Sequence, residues 1–301
     1  MNQKFIEFIN NITLTASQKI DATVKYTNVC NCLYKHFYTG KYDADKKYLF
    51  GSYKTHTNVR PMTKDQDVDV LFKIPEEVYN KYKDYSSNGP EALLQEVRET
   101  LKDTFTTTDK IKAWGKVVLI NFANNHHNVE VLPAFENEDG TFTIPNSENG
   151  GSWDSFDPRK EVKKFEKSNQ DTDGMTQKMA KMLKAWAHNN TSMTYKSYMR
   201  LNDIISFLDF NYEFYLDIQY DKIIFDFFDY LRVRCSSNIS TYVNTAYKHA
   251  QKALEYRDQG DLYSASLEWR KIFGTLFPMA ENSNTKPERQ IFVNPARPWS
   301  N

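Results

Sequence analysis

The sequence has few cysteines and no cysteine pattern that would predict a disulfide framework. Cys30, Cys32 and Cys235 form an odd and sparse set, which is typical of a reducing compartment. Cys30 and Cys32 are close enough in sequence to suggest a metal site, but no matching pair of cysteine or histidine residues completes one. We interpret them as buried thiols on a helix, and this cysteine usage favours a cytoplasmic protein.

The sequence also lacks long apolar runs and an excess of charge of either sign. No stretch approaches the roughly 18 apolar residues of a membrane span, and the N-terminus, MNQKFIEFINNITL, lacks the features of a signal peptide. We therefore expect no membrane partner. The 39 basic residues balance 39 acidic residues, so no global basic field predicts a long nucleic-acid substrate, and only a local basic groove stays open.

The most informative stretch is residues 47–72, KYLFGSYKTHTNVRPMTKDQDVDVLF. Successive side chains of a strand point to opposite faces, so Asp67 and Asp69 share one face. Adjacent carboxylates repel unless a cation lies between them, and Mg²⁺ at phosphate-handling sites takes one or two carboxylates with phosphate oxygens. Gly51 lets the backbone approach an anion, and Ser52 adds a hydroxyl and an amide. The combination predicts a phosphoryl-transfer site, although each part alone would indicate a solvated strand edge or a turn.

The same stretch resembles the signature of the DNA polymerase β-like nucleotidyltransferases. The resemblance is carried by Gly51-Ser52-Tyr53, then Thr57, Arg60 and Pro61, then Asp67-x-Asp69-Val70. More closely, the sequence resembles the CD-NTases, bacterial cyclic-oligonucleotide synthases that are similar to cyclic GMP-AMP synthase and oligoadenylate synthase. The resemblance implies metal binding by Asp67 and Asp69. It implies nucleotide binding by Gly51, Ser52, Tyr53, Thr57 and Arg60.

Glu130 lies between two valines in a predicted strand over residues 129–135. A carboxylate in a central strand is costly unless it is paired or bound to a metal. The CD-NTases place a third catalytic carboxylate here, usually Asp, so the resemblance implies that Glu130 is a catalytic residue and a metal ligand. Its extra methylene moves the carboxylate by about 1.5 Å, and a salt-bridged strand residue is the alternative. We interpret the nearby His126 and His127 as solvated turn residues.

Apolar spacing predicts the secondary structure. It predicts one long helix over residues 2–38, a helix over 91–105, and strands at 48–50, 68–73, 116–122, 129–135 and 141–144. From residue 174 onward the pattern is helical, and the apolar run 204–233, which includes Phe210 and Tyr215, predicts core packing. A tail over residues 281–301, rich in Asn, Pro and Ser, is predicted to be flexible.

The resemblance also implies an α+β fold with two lobes. A polymerase β-like nucleotidyltransferase sheet lobe would occupy residues 1–160 and a C-terminal helical lobe residues 161–280, and the long N-terminal helix would span both. In the CD-NTases, a lysine and a serine of the helical lobe contact the triphosphate, and an aromatic side chain stacks on the base. The resemblance implies these roles for Lys184, Ser197 and Tyr198, with Lys196 as a competing candidate. A helix lysine such as Lys184 would otherwise be a solvated charge.

The implied reaction is attack of a ribose hydroxyl on the α-phosphorus of a ribonucleoside triphosphate, with release of pyrophosphate. Two Mg²⁺ ions, replaceable by Mn²⁺, are the implied cofactors. ATP and other ribonucleoside triphosphates are the implied substrates, and a cyclic di- or trinucleotide for antiphage (CBASS) defence is the implied product. We expect a monomer and leave a regulatory protein partner open. Two alternatives remain: a transferase acting on an RNA end or a protein hydroxyl, and a silent nucleotide-binding module, suggested by Glu130 in place of Asp.

Overall fold

The computed structural model of the chain describes residues 1–61, 66–108, 110–122, 127–214 and 219–282. A mixed sheet and a helical bundle form two lobes, which confirms the predicted α+β fold. The strands are β1 (Lys47–Phe50), β2 (Asp67–Lys73), β3 (Lys110–Trp114), β4 (Val117–Asn121), β5 (Asn128–Glu136), β6 (Phe142–Asn146) and β7 (Ser152–Phe156). The helices are α1 (Asn2–Ile12), α2 (Ala16–Phe37), α3 (Gly51–Lys54), α4 (Glu76–Lys83), α5 (Gly89–Thr104), α6 (Pro158–Asp171), α7 (Met175–Asn189), α8 (Ser197–Asn211), α9 (Tyr220–Arg232), α10 (Ser237–Asp258) and α11 (Leu262–Phe273).

The sheet has one face in the core and one face that carries the carboxylates. Its strands run in the order β1-β2-β5-β4-β3, and β6 and β7 extend it from β5. Val68 and Val70 of β2 are fully buried in a cluster with residues of α2 and α5. Asp67 and Asp69 alternate with these valines, and Glu130 lies beside Asp69 on the parallel strand β5. Strand alternation therefore places all three carboxylates on the face opposite this core.

The prediction of one continuous helix over residues 2–38 is wrong, because the chain turns between α1 and α2. The Thr15 hydroxyl accepts a hydrogen bond from the Gln18 amide (3.2 Å), and Gln18 Oε1 accepts one from the Thr15 amide (2.9 Å). This reciprocal capping box begins a new helix at residue 16. Phe5 of α1 packs in the helical lobe and Leu33 of α2 packs in the sheet lobe. The N-terminal region thus spans both lobes as two helices.

Two strands, β3 and β7, were not predicted because both lie at edges of the sheet. Within the described part of the chain, β3 pairs only with β4, and β7 pairs only with β6. Within β3 only Ile111 is buried, so its sequence lacks the apolar content of a central strand. β7 includes Trp153, which follows a run of Asn, Ser and Gly that reads as a loop.

The helical lobe contains the predicted apolar stripe of α7. Met175, Met179, Met182, Leu183 and Trp186 are all buried in one cluster. The C-terminal aromatic residues Trp269, Phe273 and Phe277 pack in the same cluster around the Phe5 ring, with centroids 5.0, 6.2 and 5.1 Å away. The first and the last described helices therefore meet in the core of this lobe.

Phe210 corrects part of the core prediction for residues 204–233. It is 79% exposed, because it lies in the last turn of α8, two residues after the buried Leu208 and therefore on the opposite side of the helix. Tyr215 lies outside the described residues, as do residues 283–301 of the predicted flexible tail. The boundary predicted near residue 160 stays a prediction, and α6 begins there at Pro158.

Two expectations from composition can be compared with the described residues. Both Cys30 and Cys32 are free thiols on α2, and Cys30 is buried as predicted, whereas Cys32 is only half-buried. No helix in the described part of the chain is long and apolar enough to cross a membrane.

Candidate active site

Three carboxylates meet on the face of the sheet opposite the core. The parallel register of β2 and β5 places Glu130 directly beside Asp69, while Asp67 lies two residues earlier on β2. Residues in register on adjacent strands point to the same face, so the backbone brings together the predicted trio. Among the residues that the structure describes, however, no group of three or more His, Cys, Asp or Glu side chains is arranged to hold a metal ion. The metal role of the three carboxylates therefore stays a prediction.

The electrostatic environment of these three carboxylates favours the binding of a proton or a cation. Burial, followed by repulsion from Glu130 and Asp67, raises the pKa of Asp69 from 3.8 to about 7, and Lys184 opposes this shift. Burial, followed by repulsion from Asp67, raises the pKa of Glu130 from 4.5 to about 7. Like charges that are held together away from water are neutralised by protonation or by a bound cation.

We expect the stability of the metal-free protein to fall as the pH rises from about 5 to about 7.5. In the unfolded chain Asp69 and Glu130 ionise at their ordinary pKa values of 3.8 and 4.5, whereas in the folded protein they keep their protons to about pH 7. Between these limits the folded state binds more protons, so raising the pH favours unfolding until both groups are ionised. The pKa of Lys184 is lowered to about 8, so this group stays protonated across the window. Thermal unfolding in a metal chelator measures the effect.

Matched variants isolate the two carboxylates from the other titrating groups. Asp69→Asn and Glu130→Gln keep the shape of each side chain and remove its charge, so each should reduce the fall in melting temperature across this pH range. An unchanged pH dependence in both variants would show that other groups cause it.

Gly51 is required by its backbone conformation and by its contact with Asp69. It begins α3 with a φ of +62°, in the left-handed region that glycine adopts without strain. A Cβ at this position would overlap the Asp69 carboxyl group, whose Cγ would lie 2.8 Å away. From the sequence, this glycine was expected to let the backbone approach an anion. The structure shows that it also lets the Asp69 carboxylate pack against the backbone at the end of β1.

A buried polar cluster joins the two lobes beside the carboxylates. From α7, Lys184 donates hydrogen bonds to Ser52 Oγ (3.3 Å) and to Asn58 Oδ1 (3.2 Å). Ser52 also donates to Asn58 Oδ1. Lys184 is 8% exposed and Asn58 is 2% exposed. Burial, followed by repulsion from Arg200, lowers the pKa of Lys184 to about 8, and the carboxylates of β2 oppose this shift. Lys184 therefore remains a cation at neutral pH.

The first turn of α8 supplies the other wall. Ser197 and Tyr198 lie here, and the Tyr198 ring is exposed. Arg200 donates from Nη2 to Ser197 Oγ (2.9 Å) and from Nη1 to the Tyr195 carbonyl. The buried Tyr195 in turn donates its hydroxyl to the Asp203 carboxylate. These contacts hold the Arg200 guanidinium and the Ser197 hydroxyl in place.

These groups line one cavity of about 550 Å³ between the sheet and helices α6, α7 and α8. Pockets for small ligands and cofactors have volumes of roughly 300–1,000 Å³, so this cavity has the size for a nucleotide. Its sheet side carries the carboxylates of Asp67 and Asp69, and its helical side carries the cations Lys184 and Arg200 together with the Glu161 carboxylate of α6. The predicted residues that line it are Gly51, Ser52, Thr57, Asp67, Asp69, Lys184, Ser197 and Tyr198.

Four predicted residues do not line the cavity. Glu130 lies beside Asp69 on β5 but is not among the residues that line the cavity. Tyr53 donates its hydroxyl to a backbone oxygen of α2 (3.1 Å), because each residue of a helix turns by about 100° and Tyr53 thus points away from Ser52. Arg60 donates to a backbone oxygen of α1 (3.0 Å), and Lys196 is exposed at the N-cap of α8. The nucleotide contacts predicted for Tyr53, Arg60 and Lys196 stay predictions that this placement does not support.

His127 corrects a further prediction. It was expected to be a solvated turn residue, but it is 1% exposed. Its ring lies edge-on to the Tyr53 ring, with centroids 5.7 Å apart, because it directly precedes β5 and lies under α3. His126 lies outside the described residues.

Sequence analysis missed Asn58 and Arg200. Asn58 stands in the Thr-Asn-Val segment between the Gly-Ser pair and the Asp-x-Asp pair, and a polar residue next to the buried Val59 was a usable signal. Arg200 is three residues after Ser197, a spacing that places both side chains on one helix face. That spacing could have identified Arg200 as a second cation of the cavity.

The sequence profile of the Second Messenger Oligonucleotide or Dinucleotide Synthetase (SMODS) domain matches residues 1–169. The chain belongs to this family. One relative is the probable cyclic nucleotide synthase IK1_05630 of Bacillus cereus (strain VD146). It is 23% identical to this chain over 279 residues. The match covers 77% of this chain and 82% of the relative.

Solved structures of CD-NTases share the fold. The cyclic AMP-GMP synthase DncV of Vibrio cholerae, in complex with nonhydrolyzable GTP, matches with a TM-score of 0.68 at 12% identity. The match covers 91% of this chain and 96% of DncV. CdnC of E. coli MS115-1 has a TM-score of 0.64 with ATP and 0.62 in a complex with HORMA-deltaN; both matches show 15% identity and cover 92% of this chain and 98% of CdnC. The predicted membership of the CD-NTases is confirmed, and the protein is a nucleotidyltransferase.

Proposed function

We propose that this SMODS nucleotidyltransferase joins ribonucleoside triphosphates into a cyclic di- or trinucleotide second messenger for antiphage defence. The observation that carries the proposal is a nucleotide-sized cavity with Asp67 and Asp69 on one side and Lys184 and Arg200 on the other. Its opposed charges suit a triphosphate whose oxygens contact cations directly and carboxylates through metal ions. Two of the similar proteins, a probable cyclic nucleotide synthase and a cyclic AMP-GMP synthase, support this class of product.

The donor set fits Mg²⁺. Mg²⁺ is usually held by one or two carboxylates with waters and substrate phosphates, and a cage made of protein alone is unusual. Asp67 and Asp69 on the cavity are such a pair, and Glu130 adds a third carboxylate beside them. The raised pKa of Asp69 supports the proposal, because a bound cation would relieve the repulsion that contributes to it. A pair of bound Mg²⁺ or Mn²⁺ ions would activate the attacking hydroxyl and neutralise the leaving pyrophosphate.

The remaining residues bind and position the nucleotide. Lys184 and Ser52 already form a hydrogen-bonded pair across the lobes, and a triphosphate oxygen can accept from both. Because Lys184 is buried, its charge is screened less than a surface charge would be. Ser197 and Arg200 contact the phosphates from α8, and the exposed ring of Tyr198 offers a stacking face to a base. Holding two nucleotides in this way makes the transfer effectively unimolecular.

The test is incubation of the purified protein with all four ribonucleoside triphosphates and Mg²⁺ or Mn²⁺, followed by phosphatase treatment and mass analysis. We expect a phosphatase-resistant cyclic product that is absent from an Asp67→Asn/Asp69→Asn control. Extension of an added RNA, or attachment of a nucleotide to protein, without any cyclic species would overturn the proposal in favour of the alternative transferases.

The chain is expected to be a monomer, and a regulatory protein partner stays open. CdnC forms a complex with HORMA-deltaN, so a gating protein is the second regulatory arrangement to test. A chain that is silent alone and active after a protein fraction is added would replace constitutive synthesis by partner-gated synthesis.

A further inference from the structure

A second, smaller cavity lies behind the nucleotide cavity, between the α1–α2 junction, α3 and α7. Its volume is about 60 Å³, and Lys19, His56, Asn58 and Lys181 are among its lining residues. One water needs about 10–15 Å³ measured in this way, whereas drug-sized ligands occupy roughly 300 Å³ or more. The cavity therefore has room for a few waters or one small polyatomic ion, and not for a nucleotide.

The charged side chains at this cavity are all cationic. Lys181 is 8% exposed and donates one hydrogen bond, to Thr13 Oγ1 (3.2 Å). Burial, followed by repulsion from Lys19, lowers its pKa. The pKa of His56 is lowered by burial and then by Lys19, Lys181 and Lys54. Among the residues that the structure describes, none of the three lysines and His56 forms an ion pair with a carboxylate. A buried cation without a counter-ion is costly, so the cavity favours an anion.

Asn58 connects the two cavities. It lines the smaller cavity, while its Oδ1 accepts hydrogen bonds from Lys184 and Ser52 of the nucleotide site. Its Nδ2 is buried and has no hydrogen-bond partner among the described residues. Asn58 is thus a buried donor beside a cationic cavity, and a buried donor without an acceptor is costly. Lys181 and Lys184 are also neighbours, one turn apart on α7.

We propose that the smaller cavity binds a tetrahedral oxyanion of the inorganic phosphate type. Lys19 and Lys181 supply its positive charge, and the Asn58 amide supplies a neutral donor. The bound anion fixes the Asn58 side chain, and through it the position of Ser52 and Lys184 at the nucleotide site. This binding is separate from the proposed synthesis reaction, so failure of one leaves the other untouched.

Thermal unfolding with inorganic phosphate, compared with chloride at equal ionic strength, tests the proposal. At about ten times the dissociation constant, phosphate should raise the melting temperature of the wild-type protein by about 2–4 °C. Lys19→Gln should lose most of this shift, and because Lys19 is exposed, this variant should fold. Lys181→Gln should lose it as well. Lys35 is an exposed lysine further along α2, so Lys35→Gln is the matched control and should keep the phosphate-induced shift. Comparing the two variants removes the general stabilisation that phosphate gives to any protein.

Phosphate can also enter the nucleotide cavity, so two further measurements assign its site. Lys184→Met should retain the shift that depends on Lys19. AMP, which is too large for the smaller cavity, should stabilise the wild-type protein and Lys19→Gln equally. The proposal is overturned if phosphate gives no shift beyond that of chloride, if the shift survives in Lys19→Gln, or if it disappears only in Lys184→Met.

Discussion

Asp69→Asn will abolish nucleotide synthesis and will also stabilise the metal-free protein at neutral pH. Loss of one carboxylate of the proposed metal site should remove several kcal/mol of transition-state stabilisation, so turnover should fall by at least about 10³-fold. Burial, followed by repulsion from Glu130 and Asp67, raises the pKa of Asp69 to about 7, which means that its ionised form destabilises the fold when no cation is bound. Removing the charge should therefore raise the melting temperature above pH 7 by several degrees. Product analysis and thermal unfolding in a chelator measure the two effects.

The opposite signs of these two effects separate a functional role from a structural one. Asp209→Asn changes an exposed carboxylate of α8 in the same way and should leave both quantities unchanged. Added Mg²⁺ with nucleotide should stabilise the wild-type protein more than Asp69→Asn. If Asp69→Asn melted at a lower temperature without metal, the carboxylate would be a structural anion and its assignment to the metal site would be wrong.

The sheet side of the candidate site could be predicted from the sequence because its residues are close in the chain. Gly51, Ser52, Asp67 and Asp69 lie on consecutive elements, and strand alternation alone determines that the two aspartates share a face. Glu130 was also found, because a carboxylate between buried valines is costly without a partner. Its register opposite Asp69 required the structure, since a parallel pairing is not encoded by local residues.

The contacts across the lobes could not be predicted from the chain alone. Lys184 was identified only by resemblance, and the sequence contains no signal that its ammonium group reaches Asn58, which is 126 residues away. The same limit applies to Arg200, whose place on the cavity depends on how α8 packs. The break between α1 and α2 could have been predicted from local residues. The capping box of Thr15 and Gln18 is visible in the sequence, but the apolar spacing on both sides of it favoured one continuous helix.

Gly51→Ala is the second substitution for which we expect a large effect. The φ of +62° costs a residue with a Cβ about 1–2 kcal/mol, and the new methyl group would also displace the Asp69 carboxylate that it overlaps. A misplacement of about 1 Å at a catalytic group can reduce turnover by about 10²-fold. We therefore expect Gly51→Ala to lower turnover by at least about 10²-fold and to lower the melting temperature, although no titratable group has changed.

Gly260→Ala is the matched control for this substitution. Gly260 has a similar left-handed backbone conformation, but unlike Gly51 it has open space where a Cβ would lie. Gly260 has a φ of +80° in the turn between α10 and α11, and a Cβ there would meet no atom within 4 Å. Gly260→Ala should carry the backbone cost alone, so it should lower the melting temperature and leave turnover at the wild-type level. Equal losses of turnover in the two variants would mean that general destabilisation explains the result. A loss confined to Gly51→Ala would show that the approach of Asp69 to the backbone of residue 51 positions the carboxylate for catalysis.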